Sequence, residues 1–412
     1  MEKLFTERAH LMCPNMTFGI AISVSRDYEK ERIADSFRIL ADDHPFLRAH
    51  LNVSEKDNDY FYDVTDTSMI DLVMLDDTLT GINDPKLVQE YERLTGYDWD
   101  ITKEGLLKAV SWRCEDSTVF LFVFHHLLAD GRGALNLAME FADIYAENKR
   151  RGRAEEKLIS AAELPKDSQL PWISKMLIKR ANDEWDREAI EPLSYQRYHE
   201  FADCFVKQDK TKLTMIKTPA SDLSKTIGEC KAHSVTINDY LMAKMYREDQ
   251  TDKIIIAKDL RDSLPCYHEN ALGNYATAFS VVIKKQNADI WKLAEAVHKK
   301  VQKVLSNPKD LYLVLQCYAN LKPEVLDAAF MAAKGEFSSK SAAFIGKMFF
   351  GFEAPSGYSI TNLGKIESKT VKSACFIPPA SPAIRKTVGV LTVNGEMISC
   401  ACCRETQEEK RR

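Results

Sequence analysis

The run Thr118 to Phe124, seven residues with no charge and rich in Val and Phe, constrains the fold of this chain more than any other stretch. It reads as a strand buried on both faces, which requires packed layers above and below it. The strand hands the chain directly to His125 and His126. Gly131 and Gly133 follow, and a helix is expected after Gly133 with Leu137, Phe141 and Ile144 on one face. A histidine just past a buried strand can be held rigidly while its ring faces a cleft, and imidazole is the side chain best poised near neutral pH to accept a proton. Asp130 lies four residues beyond His126, but the two glycines argue against a helix joining them. The carboxylate therefore need not face a substrate and could equally hold the turn by pairing with an arginine. Gly131 suits a place where backbone turns sharply or approaches another segment closely.

Other readings of the same residues compete with this one. From spacing alone, adjacent histidines at a strand end are more often structural than catalytic. Metal binding by His125, His126 and Asp130 is disfavoured because neighbouring strand residues point to opposite faces. Gly131-Arg132-Gly133-Ala134-Leu135-Asn136 imitates a dinucleotide fingerprint, yet Asn136 stands where the third glycine belongs. Cys400, Cys402 and Cys403 lie in an alternating, strand-like tail with no second ligand pair nearby, so buried or edge-strand cysteines are expected there and no metal.

With 412 residues the chain exceeds the usual limit of one hydrophobic core, so two units are expected. Strands are expected at 18–25, 60–64, 109–113, 253–257, 278–283, 358–361, 374–377, 386–393 and 397–401. Helices are expected at 28–42, 237–246, about 290–305 and about 311–333. Residues 148–205 are charged and weakly periodic, which reads as a crossover linker between halves spanning 1–147 and 206–412. The net charge of −5 gives no reason to expect nucleic acid, and the basic run Lys149 to Arg153 reads as a solvated face. No run reaches the ~18 apolar residues of a membrane span. The first residues lack the apolar stretch of a secretory signal, so a cytoplasmic location with reduced thiols is expected.

The run His125-His126-Leu127-Leu128-Ala129-Asp130-Gly131 resembles the HHxxxDG signature of the condensation-domain and chloramphenicol-acetyltransferase-like acyltransferases. Four further segments resemble that superfamily in the same order: Asp43-His44-Pro45-Phe46-Leu47-Arg48, Val235 to Ala243, Asp259-Leu260-Arg261 with Leu272-Gly273-Asn274-Tyr275, and Ser359-Ile360-Thr361-Asn362-Leu363-Gly364. The resemblance implies an α/β (α+β) pseudo-dimer of two chloramphenicol-acetyltransferase-like halves, each a mixed sheet with packed helices, around a central tunnel. It makes His126 the general base, His125 its motif partner and Asp130 a structural aspartate paired with Arg261, or failing that with Arg48. Gly131 completes the motif. Ser359 and Asn362 are candidates for holding substrate or a developing oxyanion. The plant "DFGWG" element is absent, and Asn362-Leu363-Gly364-Lys365-Ile366 stands in its place.

What the resemblance implies for chemistry is transfer of an acyl group from a thioester, without a bound cofactor or metal. An acyl-coenzyme A donor with a small or lipid-like alcohol acceptor is the leading expectation. The alternatives are a carrier-protein-dependent condensation forming an amide or ester, and a catalytically silent binding domain of the same fold. Asp262-Ser263-Leu264 imitates a carrier attachment serine but lies inside the "DLR" segment. The chain is read as stand-alone, so a carrier protein would be a separate partner.

Overall fold

The computed structural model describes residues 4–54, 59–284 and 289–404. Its centre is the strand read from the apolar run, Ser117–His125, in which every residue is buried. Burial on both faces is satisfied as the sequence demands. Helices Lys30–Asp43 and Gly131–Glu147 pack together over one face, with Phe37 and Phe141 at 4.3 Å and Phe120 and Phe141 at 4.7 Å.

That strand is the middle of a five-stranded mixed sheet in the order Val371–Ile377, Thr17–Val24, Ser117–His125, Leu107–Cys114, Asp71–Thr78. All neighbours are antiparallel except the last pair. A second mixed sheet has the order Thr211–Thr218, Glu396–Arg404, Ile384–Val393, Gly357–Ile366, Lys253–Asp259, Ala276–Val282. In it the Gly357–Ile366 strand runs parallel to both its neighbours. A hairpin of Ala49–Ser54 and Asp59–Val64 completes the β structure among the described residues. This is the mixed α/β architecture of two sheet-and-helix halves expected from the sequence. The sheets do not separate cleanly along the chain, however. Val371–Ile377 leaves the second half and pairs with Thr17–Val24, from Gly19 opposite Ile377 to Val24 opposite Val371.

The structure adds to some expectations and corrects others. The 148–205 linker carries two helices, Trp172–Glu188 and Tyr195–Gln208. Ile178, Ala181 and Trp185 on the first, and Tyr195, Tyr198 and Ala202 on the second, are buried at helical spacing, which the dense charge around them obscured. The single helix expected over 311–333 is three short ones, Pro308–Leu311, Leu313–Asn320 and Pro323–Lys334, divided where Pro323 enters a new first turn. The helix expected after Gly133 begins at Gly131, because Asp130 caps it by accepting from Gly133 N at 2.9 Å. Cys400 and Cys402 are buried within the Glu396–Arg404 strand. The Thr236 to Asp239 segment is a reciprocal capping box, which accounts for its "TxND" pattern.

Candidate active site at His126

The ladder between Thr17–Val24 and Ser117–His125 ends with Thr17 opposite His125. His126 is therefore the first residue beyond the sheet, anchored by its N–H donating to Met16 O at 2.9 Å. The two histidines diverge, as adjacent residues leaving a strand must. His125 turns into the core beside Trp99, where burial and the neighbouring His126 push its imidazole down to about 3. It is neutral at any working pH. His126 keeps partial exposure and stacks on the His10 ring at 4.1 Å, with the edge of Phe18 at 5.1 Å. Burial lowers its pKa below the ordinary imidazole value, against smaller opposing effects of Asp130 and Asn274.

The tautomer of His126 is set by Asn274. The Asn274 Nδ2 donates to His126 O at 2.8 Å and to Glu7 Oε1 at 3.3 Å, so Oδ1 must be the atom facing the imidazole. That oxygen lies 2.9 Å from His126 Nδ1 and can only accept, so Nδ1 carries the proton and Nε2 carries the lone pair. Glu7 is fully buried and also accepts from Asn274 N at 3.0 Å, and burial raises its pKa. The chain of contacts Glu7–Asn274–His126 thus orients a neutral base through a neutral amide. Gly273, at φ +137°, makes the turn that presents Asn274.

Asp130 and Arg261, expected to pair, do so in bidentate fashion with two contacts of 2.9 Å. Both are buried. The remaining lone pairs of Asp130 accept from Gly133 N and Tyr275 N, each at 2.9 Å. Burial works to raise the Asp130 carboxyl, but the Arg261 charge and these hydrogen bonds outweigh it and hold the group below the usual carboxylate range. The guanidinium lies over the rings of Tyr267 and Tyr275 at 5.2 and 5.0 Å. Both motif glycines mark close approaches: a Cβ on Gly133 would stand 3.0 Å from Arg261 Nη2, and one on Gly131 would stand 3.0 Å from Leu363 Cδ2. Gly131 therefore admits the Gly357–Ile366 strand, and Arg132 Nη2 fastens that strand by donating to Leu363 O at 2.6 Å.

Other expected site residues are placed differently. Among the described residues no hydrogen bond or ion pair joins Arg48 to Asp130, and the Arg48 Nε is buried without a hydrogen-bond partner. Ser359 donates its hydroxyl to Thr387 Oγ1 at 3.1 Å, and Asn362 Oδ1 accepts from Gly364 N at 2.8 Å to close a tight turn at φ +82°. Both side chains serve the local strand geometry, and neither contacts His126 among the described residues. His44 is held between Glu140 Oε2 at 3.3 Å and Glu156 Oε1 at 3.1 Å, which ties the "HPFLR" turn to the Gly131–Glu147 helix. Two clefts, of about 390 Å³ beside Arg132 and Ser368 and about 310 Å³ beside Tyr91 and Asp209, are not lined by His126. The tunnel expected around the base corresponds to neither of them. Among the described residues no three His, Cys, Asp or Glu side chains converge as metal ligands, and no helix is long and apolar enough to cross a membrane.

Sequence reasoning quoted Asn274 within a motif but gave it no role, and it passed over Glu7 and His10. The signal for Asn274 was its position directly after a glycine in "LGNY". Glu7 and His10 sit in a segment whose sequence gave no sign of burial beside the motif.

No family model matches the chain. Surfactin synthase subunit 1 of Bacillus subtilis is 24% identical over 148 residues, which is 35% of this chain and only 4% of that protein. Among solved structures, polyketide synthase associated protein 5 from Mycobacterium tuberculosis has a TM-score of 0.59 at 15% identity, covering 99% of this chain and 93% of that one. The epimerization domain from the third module of tyrocidine synthetase B gives 0.58 at 12% identity, covering 99% and 89%. The first condensation domain of the calcium-dependent antibiotic synthetase, in complex with a substrate analogue, gives 0.58 at 10% identity, covering 100% and 93%. At such identities the likeness is one of fold.

Proposed function

For a chain with the condensation-domain fold, we propose a transferase that joins a thioester-borne acyl group to an acceptor amine or hydroxyl, with His126 as general base. The observation that supports this most is the hydrogen bond from His126 Nδ1 to Asn274, which leaves the Nε2 lone pair on a partly exposed ring. The acceptor attacks the thioester carbonyl while Nε2 takes its proton. The tetrahedral adduct then expels the thiol sulfur, which recovers that proton from the imidazolium as the new amide or ester forms. No acyl-enzyme is required, because both substrates meet beside one base. Asp130 and Arg261 are positioning residues in this reading, since each spends its charge on the other.

A donor carried on a separate carrier protein has better support than free acyl-coenzyme A. The similar solved chains include condensation and epimerization domains of peptide and polyketide synthetases. The test is single-turnover transfer from acyl-loaded carrier protein and from the matching acyl-coenzyme A, each with an amine and an alcohol acceptor. Transfer from the carrier should exceed transfer from coenzyme A, and His126→Ala should lower it by roughly 10²–10⁴. Preference for coenzyme A would reverse the choice of donor. Wild-type turnover in His126→Ala would remove the base.

A further inference from the structure

Nine large apolar side chains are exposed among the described residues, and six of them lie on two elements: Trp172, Ile173 and Met176, and Phe344, Met348 and Phe349. The first three open the Trp172–Glu188 helix. The others lie on the Lys340–Ile345 helix and its one-turn π continuation Gly346–Phe350. These elements run antiparallel. Glu188 accepts from Ser339 Oγ, Lys340 N and Ser341 N at 2.6, 2.6 and 3.0 Å, and Ser341 Oγ donates to Ala181 O at 2.6 Å, so the second element moves back along the first as it advances. Continued at a helical rise of about 1.5 Å per residue, this course carries residues 344–349 toward the Trp172 end of the first helix. The six side chains are thus exposed toward the same end of this helix pair, with Trp172 and Met348 72% and 71% exposed. Isolated exposed apolar residues are ordinary on a protein surface, but a contiguous face is not.

The charge around this face is mostly basic, with Asp183 and Glu353 at its far border, where they pair with Lys179 and Lys347. Residues 172–182 contain Lys175, Lys179 and Arg180 and no carboxylate, and residues 340–352 contain Lys340 and Lys347 and no carboxylate, in a chain whose net charge is −5. All five are exposed. Lys175, Arg180 and Lys340 make no ion pair among the described residues, while Lys179 and Lys347 reach Asp183 and Glu353 beyond the patch. We propose that this face docks the protein on an anionic lipid bilayer. Trp172, Ile173, Met176, Phe344, Met348 and Phe349 enter the boundary of headgroups and acyl chains, and the five cations meet lipid phosphates around them. An in-plane element with bulky apolar groups on one side and Lys or Arg at its rim is the arrangement that binds such interfaces. This inference does not depend on the catalytic reading, since binding is measured without turnover.

The test is co-sedimentation with vesicles of phosphatidylglycerol mixed with phosphatidylcholine, beside vesicles of phosphatidylcholine alone. The chain should sediment with the anionic vesicles, less with the neutral ones, and less as salt rises. Trp172→Ser with Met348→Ser should weaken binding by about tenfold or more, while Ile216→Ser, at an exposed apolar site on the Thr211–Thr218 strand, should leave it unchanged. Lys175→Glu with Arg180→Glu should remove the preference for anionic lipid. These side chains are exposed, so thermal unfolding of the variants should match wild type. Failure to bind anionic vesicles, equal binding by the Trp172/Met348 variant, or a dimer that this variant dissolves would each overturn the proposal, the last by assigning the face to a second copy.

Discussion

Of the contacts between segments 125–133 and 259–275, two are built from opposite materials. At Asp130 and Arg261 they meet as full charges, bidentate and buried, with the guanidinium over two tyrosine rings. At His126 and Asn274 they meet as a neutral imidazole and a neutral amide, backed by the buried Glu7. A buried ion pair holds segments in place but perturbs whatever titrates nearby. A neutral amide fixes a tautomer without supplying the full negative charge that would stabilise imidazolium. The fold thus puts its clamp and its base on the same two strands of chain and gives the charge to the clamp. His126 consequently titrates below the usual imidazole value and stays an acceptor near neutral pH.

Breaking the clamp is the largest expected effect. Asp130→Ala leaves Arg261 buried beside Asp259 alone and also removes the cap on Gly133 N and the acceptor for Tyr275 N. It should cost about 3–5 kcal/mol of stability, read as a fall in the denaturation midpoint, with activity lost alongside. A loss of activity with unchanged stability would give Asp130 a direct role in chemistry. Asn274→Ala sharpens the contrast from the other side. It removes the tautomer's partner and should lower kcat by roughly ten- to a hundredfold, the effect of leaving one buried polar group unpaired, with a smaller change in stability. The acid limb of kcat/KM in wild type should fall below pH 6.5, since activity is present above the lowered His126 pKa and lost as pH drops through it. A limb above 6.5 would mean that the base carries an anionic neighbour after all.

The smallest effect is a slope and concerns His44, in the turn tied to the Gly131–Glu147 helix. Burial opposes charge on His44, yet hydrogen bonds and attraction from Glu140 and Glu156 raise it to about 9 from 6.5. The folded state therefore binds this proton more tightly than the unfolded one. Its contribution is complete below pH 6.5 and is lost as pH rises through about 9. Denaturation midpoints should decline across that window, and the His44 ring protons should titrate near its upper end by NMR. A flat midpoint with a His44 titration near 6.5 would break the comparison between this charged histidine and the neutral His126.

What was readable in the sequence follows from how each feature announces itself. The Ser117–His125 strand was plain because burial on both faces leaves an unbroken apolar run. The Asp130–Arg261 contact could be anticipated because an ionised pair must find opposite charge, and the resemblance supplied the arginine. Asn274 was named but left without a task, since an amide advertises no need for a particular partner. Glu7 and His10 come from more than a hundred residues away, and no local spacing marks them. The helices at 172–188 and 195–208 were hidden because charge on their exposed faces outweighed the three buried positions on the first and four on the second. Ser359 and Asn362 show a related limit of sequence patterns: polar strand residues look the same whether they serve a ligand or bond locally, as these two do to Thr387 and Gly364.

The Val371–Ile377 strand has a consequence for synthesis. Translation delivers Thr17–Val24 and Ser117–His125 early, yet the outer edge of Thr17–Val24 gets its partner only when residues 371–377 emerge. For most of the chain's time on the ribosome, the sheet that carries His126 shows an open, apolar edge of unpaired backbone groups, the kind of edge that recruits other nascent chains. A stop or deletion before residue 371 would harm more than the second half. It would leave the first half with a permanently unfinished border, so truncated products should aggregate instead of persisting as independent folded halves.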